Sequence, residues 1–150
     1  MSFRQAVEAT PHLGGNAIRP GLQALGAYSV RVRCRDPRRL KGSVDIDAAL
    51  QAKDPDGHRW DYVVGHSESG SDRVHWIEIH PASDHGVAEL LAKVVWLNAW
   101  LRGDGRLLKD LTKAYVWISS GTTSFTKTSP AERKLALQGV ISAGGYYTLN

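Results

Sequence analysis

A chain of 150 residues with net charge +4, 42% apolar and 23% charged, has room for one hydrophobic core and little more. No run approaches the roughly 18 apolar residues that span a bilayer, and Cys34, the one cysteine, excludes an internal disulfide and a thiolate-rich metal cluster. Glu8 falls where the apolar core of a signal peptide belongs, so the expectation is a soluble, cytoplasmic protein with one domain over residues 1–150 and no membrane association.

Residues 3–9 have the makings of a short helix, closed by Pro11 and the Gly14-Gly15 pair, and Pro20 to Leu25 can begin another. From Ser29 the pattern switches to period two. Val30, Val32 and Cys34 alternate with Arg31, Arg33 and Arg35, which predicts a half-buried strand ended by Asp36-Pro37, with Cys34 as a small buried hydrophobe. Val44 and Ile46 alternate with Asp45 and Asp47, predicting a second strand whose aspartates share an exposed face. Asp54-Pro55-Asp56-Gly57 is a turn. A third strand follows over 60–66, a polar hairpin loop over 67–72, and a fourth strand over 74–80, stopped by Pro81.

Ser83 or Asp84 offers an N-cap for the one long helix, predicted over 86–102. Its apolar residues, Val95 among them, cover a broad face that must pack on the sheet. A fifth strand is expected over 115–119. Ser129-Pro130-Ala131-Glu132 combines a capping box with proline at the first helical position, predicting a helix to about Gln138. Residues 146–149 close the chain as a short strand. The fold class is therefore α+β: a mixed sheet with an antiparallel meander of three to four strands, one long packed helix and a further strand.

This order, with an aspartate opening one strand and a Glu-x-His on the next, resembles the PD-(D/E)XK nuclease-like fold, the restriction-endonuclease-like core. The resemblance spans about residues 43–120, with 44–48, 61–66 and 74–80 as its strands. It implies that Asp61, in Arg59-Trp60-Asp61-Tyr62, and Glu78, in Trp76-Ile77-Glu78-Ile79-His80, hold Mg2+ or Mn2+. His80 stands in the place of the motif's lysine, and no proline precedes Asp61. His80 then assists catalysis, as does Lys93 from the long helix. The implied activity is a metal-dependent nuclease (a hydrolase) or a degenerate relative of one. Hard divalent cations suit paired carboxylates, and they stabilise the charge that develops on phosphate.

Each assignment has a structural alternative. Lys93 can pair with Glu89 at i,i+4, Glu78 can be a buried carboxylate neutralised by a neighbouring cation, and Asp61 can cap a turn. Strand alternation sets a test. Glu78 and His80 share a face, and Asp61 joins them only if the hairpin register pairs it with one of them rather than with Ile79. His75, His80 and His85 invite a zinc site, but His75 and His80 face opposite ways. The tryptophans read as core, and the hydroxyl-rich run from Ser119 to Ser124 as a polar loop.

Arg31, Arg33, Arg35, Arg38, Arg39 and Lys41 form a basic stripe that serves either as a nucleic-acid footprint or as a charged edge strand. The partners implied are nucleic acid, a second copy of the chain for cutting both strands of a duplex, or a protein. The non-catalytic alternatives are a nucleic-acid-binding module or an immunity- or antitoxin-like interaction module on the same fold.

Overall fold

The computed structural model describes residues 1–81, 83–121 and 130–150. Its centre is a mixed six-stranded sheet. The antiparallel half comprises β1 (Ile18–Arg19), β3 (Leu40–Asp45), β4 (Tyr62–Glu68) and β5 (Ser71–Pro81). The parallel half adds β6 (Thr112–Ser120) and β7 (Val140–Ser142) beside β5, giving the order β1-β3-β4-β5-β6-β7. A separate pair joins β2 (Val32–Cys34) and β8 (Tyr147–Leu149) in parallel.

Helices α1 (Phe3–Ala9), α3 (Asp84–Arg102), α4 (Arg106–Lys109) and α5 (Pro130–Leu137) lie on one face of the sheet, and their apolar residues join those of the strands in the larger core. Alternation divides the strands between two cores. Val63, Val74, Trp76 and Trp117 point toward α3, whereas Val64, Ile77, Ile79 and Val116 point into a smaller core shared with β2 and β8. Among the described residues no helix is long and apolar enough to cross a membrane.

Local chemistry explains the elements that follow expectation. Ser2 and Gln5 form a reciprocal capping box on α1. The β4–β5 hairpin needs no long loop: Ser69 and Gly70 both have positive φ (52° and 81°), and the strands meet directly at Glu68 and Ser71. That is the two-residue turn matched to strand twist, and it replaces the loop expected over 67–72. The predicted long helix begins two residues earlier than expected, with the Ser83 hydroxyl accepting from the Gly86 N–H at 3.0 Å. Ser83→Ala is expected to cost about 1 kcal/mol of stability, measured as a lower urea midpoint at unchanged m-value.

Other expectations are corrected. The strand predicted over 44–48 breaks at Asp45, whose carboxylate accepts from the Ala48 N–H at 2.9 Å and starts helix α2 (Ile46–Leu50). Two alternating pairs are too few to override an N-cap. Asp45 and Asp47 thus do not share a strand face: Asp45 is the cap, and Asp47 pairs with Arg59 at 2.9 Å. The strand predicted from Ser29 shrinks to Val32–Cys34, because residues 23–31 form 3-10 turns kinked at Gly26, which leaves Val30 73% exposed.

The arginine stripe is therefore not one strand face. Arg31 ends the 3-10 segment, Arg33 lies on β2, Arg38 and Arg39 sit in a 3-10 turn, and Lys41 is on β3. Val95, expected on the packed face of α3, is 68% exposed. Strands β1 and β7 and helix α4 carry no pattern long enough to announce them. Ser129, and with it the expected capping box, and Thr122 to Ser124 lie outside the described residues, as does the His85 side chain.

Candidate functional site

Asp61 immediately precedes β4, and its backbone is held in place before any side-chain chemistry begins. Its carbonyl accepts from the Ile46 N–H at 2.9 Å, and its N–H donates to Glu78 Oε1 at 3.0 Å. The preceding loop is clamped by Arg59, which donates to the carbonyl and carboxylate of Asp47 and to the Asp54 carbonyl. Observed pairs Tyr62–Ile77 and Val63–Trp76 extend to set Asp61 beside Glu78. This register meets the condition that alternation imposed, and both carboxylates stand on the α3 face.

Lys93 descends from α3 onto the pair. Its ammonium donates to Glu78 Oε2 at 2.6 Å and to Asp61 Oδ1 at 3.2 Å. The i,i+4 pairing with Glu89 gives way to this contact, because the carboxylates lie under the helix where water is scarce. Glu89 instead places its Oε2 3.2 Å from His80 Nε2, and His80 Nδ1 lies 3.9 Å from Glu78 Oε2. The four residues expected to carry chemistry (Asp61, Glu78, His80 and Lys93) are brought together, and Glu89 joins them. Glu89 had entered the sequence reading only as a helix ion-pair partner.

Glu78 is fully buried and Asp61 partly so. Burial, and then the neighbouring Asp61, raises the Glu78 carboxyl well above the usual glutamate range, against the opposing pull of Lys93. Burial pulls Lys93 down, but Glu78 and Asp61 outweigh it and raise the amine overall. Glu78 thus keeps its proton to higher pH than a free glutamate does. Each carboxylate has one oxygen committed to a backbone N–H, Glu78 to Asp61 and Asp61 to Ile79 at 3.1 Å, and aims the other at the same ammonium. Two carboxylate oxygens thus converge on one positive charge, and oxygen donors are the ligand type that hard divalent cations take.

The basic residues are more dispersed. Arg31 donates to the carbonyls of Ser119 and Gly145 at 3.3 and 3.2 Å, and Ser119 pairs with His80 across β5 and β6. One arginine therefore reaches the end of the sheet that carries the carboxylates. The Arg33 guanidinium lies 4.1 Å from the ring centroid of Tyr146. Arg38 is bound to Asp36, and Arg39 reaches the Asn150 carbonyl.

A second polar cluster occupies the opposite face near the β4–β5 turn. His66, Glu68 and His75 bring their ligand atoms within 4.8 Å of one another. Of the three, only His75 had entered the earlier zinc reading, with His80 and His85. The spacing of His66 and Glu68, two apart on one strand, was the available signal. Compared with known protein families, characterised proteins and solved structures, the chain matches none.

Proposed function

We propose that this chain is a divalent-metal-dependent phosphodiesterase acting on nucleic acid, on a restriction-endonuclease-like core of β3, β4, β5, α3 and β6. One observation carries the reading: the β4–β5 register sets Asp61 beside Glu78, and both aim an oxygen at the Lys93 ammonium. Asp61 and Glu78 would hold Mg2+ or Mn2+. The chemistry supplied when such an ion is bound is Lewis-acid stabilisation of charge on the scissile phosphate.

The chain's own residues do the remainder. Lys93, on a flexible stem, gives up its place between the carboxylates and turns its charge toward the incoming phosphate. His80, held against Glu89, serves as the proton carrier. Arg33 and Arg35, both exposed, contact the phosphate backbone outside the site.

The test is calorimetric titration of Mn2+ into wild type and Glu78→Gln, with cleavage of mixed DNA and RNA followed in parallel. The expected result is saturable binding in wild type, lost in the variant, and a fall in cleavage of at least about a hundredfold. Absence of binding at millimolar Mn2+ overturns the catalytic reading. It would favour a second one, in which the 2.6 Å contact of Lys93 with Glu78 is permanent and the chain binds nucleic acid or protein without cutting.

A further inference from the structure

His66 and Glu68 lie two apart on β4 and so share a face. His75 on β5 pairs with Val64 and is the diagonal neighbour of His66 on that face. This face is opposite to that of Glu78, since residues 75 and 78 differ by an odd number. The cluster is therefore separate from the Asp61–Glu78–Lys93 site, and its function does not depend on that site.

Three ligand atoms crowd together in the cluster. His66 Nδ1 lies 2.9 Å, and His75 Nε2 2.6 Å, from the same oxygen, Glu68 Oε2. His66 is fully buried, and its Nε2 has no hydrogen-bond partner. Without a cation, both rings must donate to one carboxylate oxygen.

Tyr147 completes the arrangement. Its hydroxyl lies 2.9 Å from His75 Nδ1. When it accepts the Nδ1 proton, the Nε2 lone pair is left free, as in metal-ligating histidines oriented by an outer partner.

We propose that His66, Glu68 and His75 hold a divalent transition-metal ion of the Zn2+ class. Two imidazoles and a carboxylate suit such an ion better than Mg2+ or Ca2+, which take oxygen ligands. Ligand atoms around tetrahedral Zn2+ stand about 3.3 Å apart, so Glu68 must withdraw by about half an ångström, and its partial exposure permits that. Three protein ligands leave a fourth position. Glu68, His75 and Tyr147 border a cleft of about 300 Å³ that Arg39 and Lys113 also line. Water or a small anion fills the fourth position from that cleft.

The experiment is titration of chelator-treated protein with Zn2+ by calorimetry, and with Co2+ by visible absorption. One equivalent is expected to bind, Co2+ giving the intense visible bands of a tetrahedral site. His75→Ala should abolish saturable binding, Tyr147→Phe should weaken it by about tenfold or more, and Glu78→Gln should leave it unchanged. Glu68→Gln preserves the shape of the site should a histidine variant fail to fold, and it too should lose the Co2+ bands. Failure of wild type to take up Zn2+ overturns the proposal, as does uptake that survives both His75→Ala and Glu68→Gln.

Discussion

Lys93→Met is expected to destabilise the fold by about 3–5 kcal/mol near neutral pH, because it removes the ammonium that faces the buried Glu78 carboxylate. Glu78 is 0% exposed; besides Lys93, its carboxylate takes the backbone N–H of Asp61 and lies 3.9 Å from His80 Nδ1. Asp61 is part-exposed and recovers some hydration, so Glu78 bears most of the loss. Glu78→Gln in the Lys93→Met background should restore much of the stability, since a neutral amide removes the buried charge. A double-mutant cycle then reads the coupling directly.

The dependence on pH follows from the raised Glu78 carboxyl. Between the ordinary value of 4.5 and its higher folded value, the folded state holds a proton that the unfolded state has released. Stability is therefore greatest on the acid side of this window and falls as pH rises through it. The fall should extend to higher pH, and so be larger in total, in Lys93→Met, where the ammonium no longer opposes burial, and this contribution should be absent in Glu78→Gln. Mn2+ should partly rescue Lys93→Met by mass action, because the two carboxylates still converge. Urea denaturation across pH at fixed ionic strength makes the measurement. A Lys93→Met variant within about 1 kcal/mol of wild type throughout would refute the assignment of Lys93 as the buried counter-charge.

Gly65→Ala is the second substitution with a large expected effect, and it acts through packing. Gly65 on β4 pairs with Gly42 on β3, and the two leave a bare patch on the sheet. The Phe3 ring of α1 lies on that patch. A Cβ at Gly65 would fall 2.5 Å from Phe3 Cγ and 2.7 Å from Cδ2, well inside contact distance. Phe3 is fully buried, and its N–H is tied to Asp72 Oδ2 at 2.8 Å, so the ring has little freedom to move.

Overpacking of this kind costs about 3 kcal/mol, and a valine would cost more. Phe3→Ala alone should cost about 3–5 kcal/mol through lost burial. In that background the Gly65→Ala penalty should nearly vanish, because the clashing atoms are gone. The thermal midpoints of the four proteins test this, and a harmless Gly65→Ala in the wild-type background would show that α1 is not seated on the sheet as described.

The candidate site was legible in the sequence to an unusual depth, and the reason is geometric. Glu78 and His80 share a face through strand alternation alone, and the hairpin register had only to place Asp61 beside Glu78 rather than Ile79. Lys93 was named as a candidate, but its partner was not decidable from spacing. Glu89 at i−4 and the carboxylates beneath the helix compete for the same ammonium, and only the docking of α3 on β5 decides between them. The strand expected from Ser29 was misread because alternation over a few residues does not distinguish a sheet strand from a 3-10 segment followed by a three-residue strand.

Features whose causes lie within a few residues are set locally. These include the alternating β5, the long α3 behind its Ser83 cap, the Asp54–Gly57 turn, and the shared face of Glu78 and His80. Tertiary structure decided whatever depends on partners distant in the chain: β2 joined to β8, Phe3 seated over two glycines, Lys93 set between Asp61 and Glu78, and His66, Glu68 and His75 gathered with Tyr147. Periodicity is written in a segment's own side chains. The partner of that segment is chosen by the balance of burial and satisfied polar groups over the whole fold.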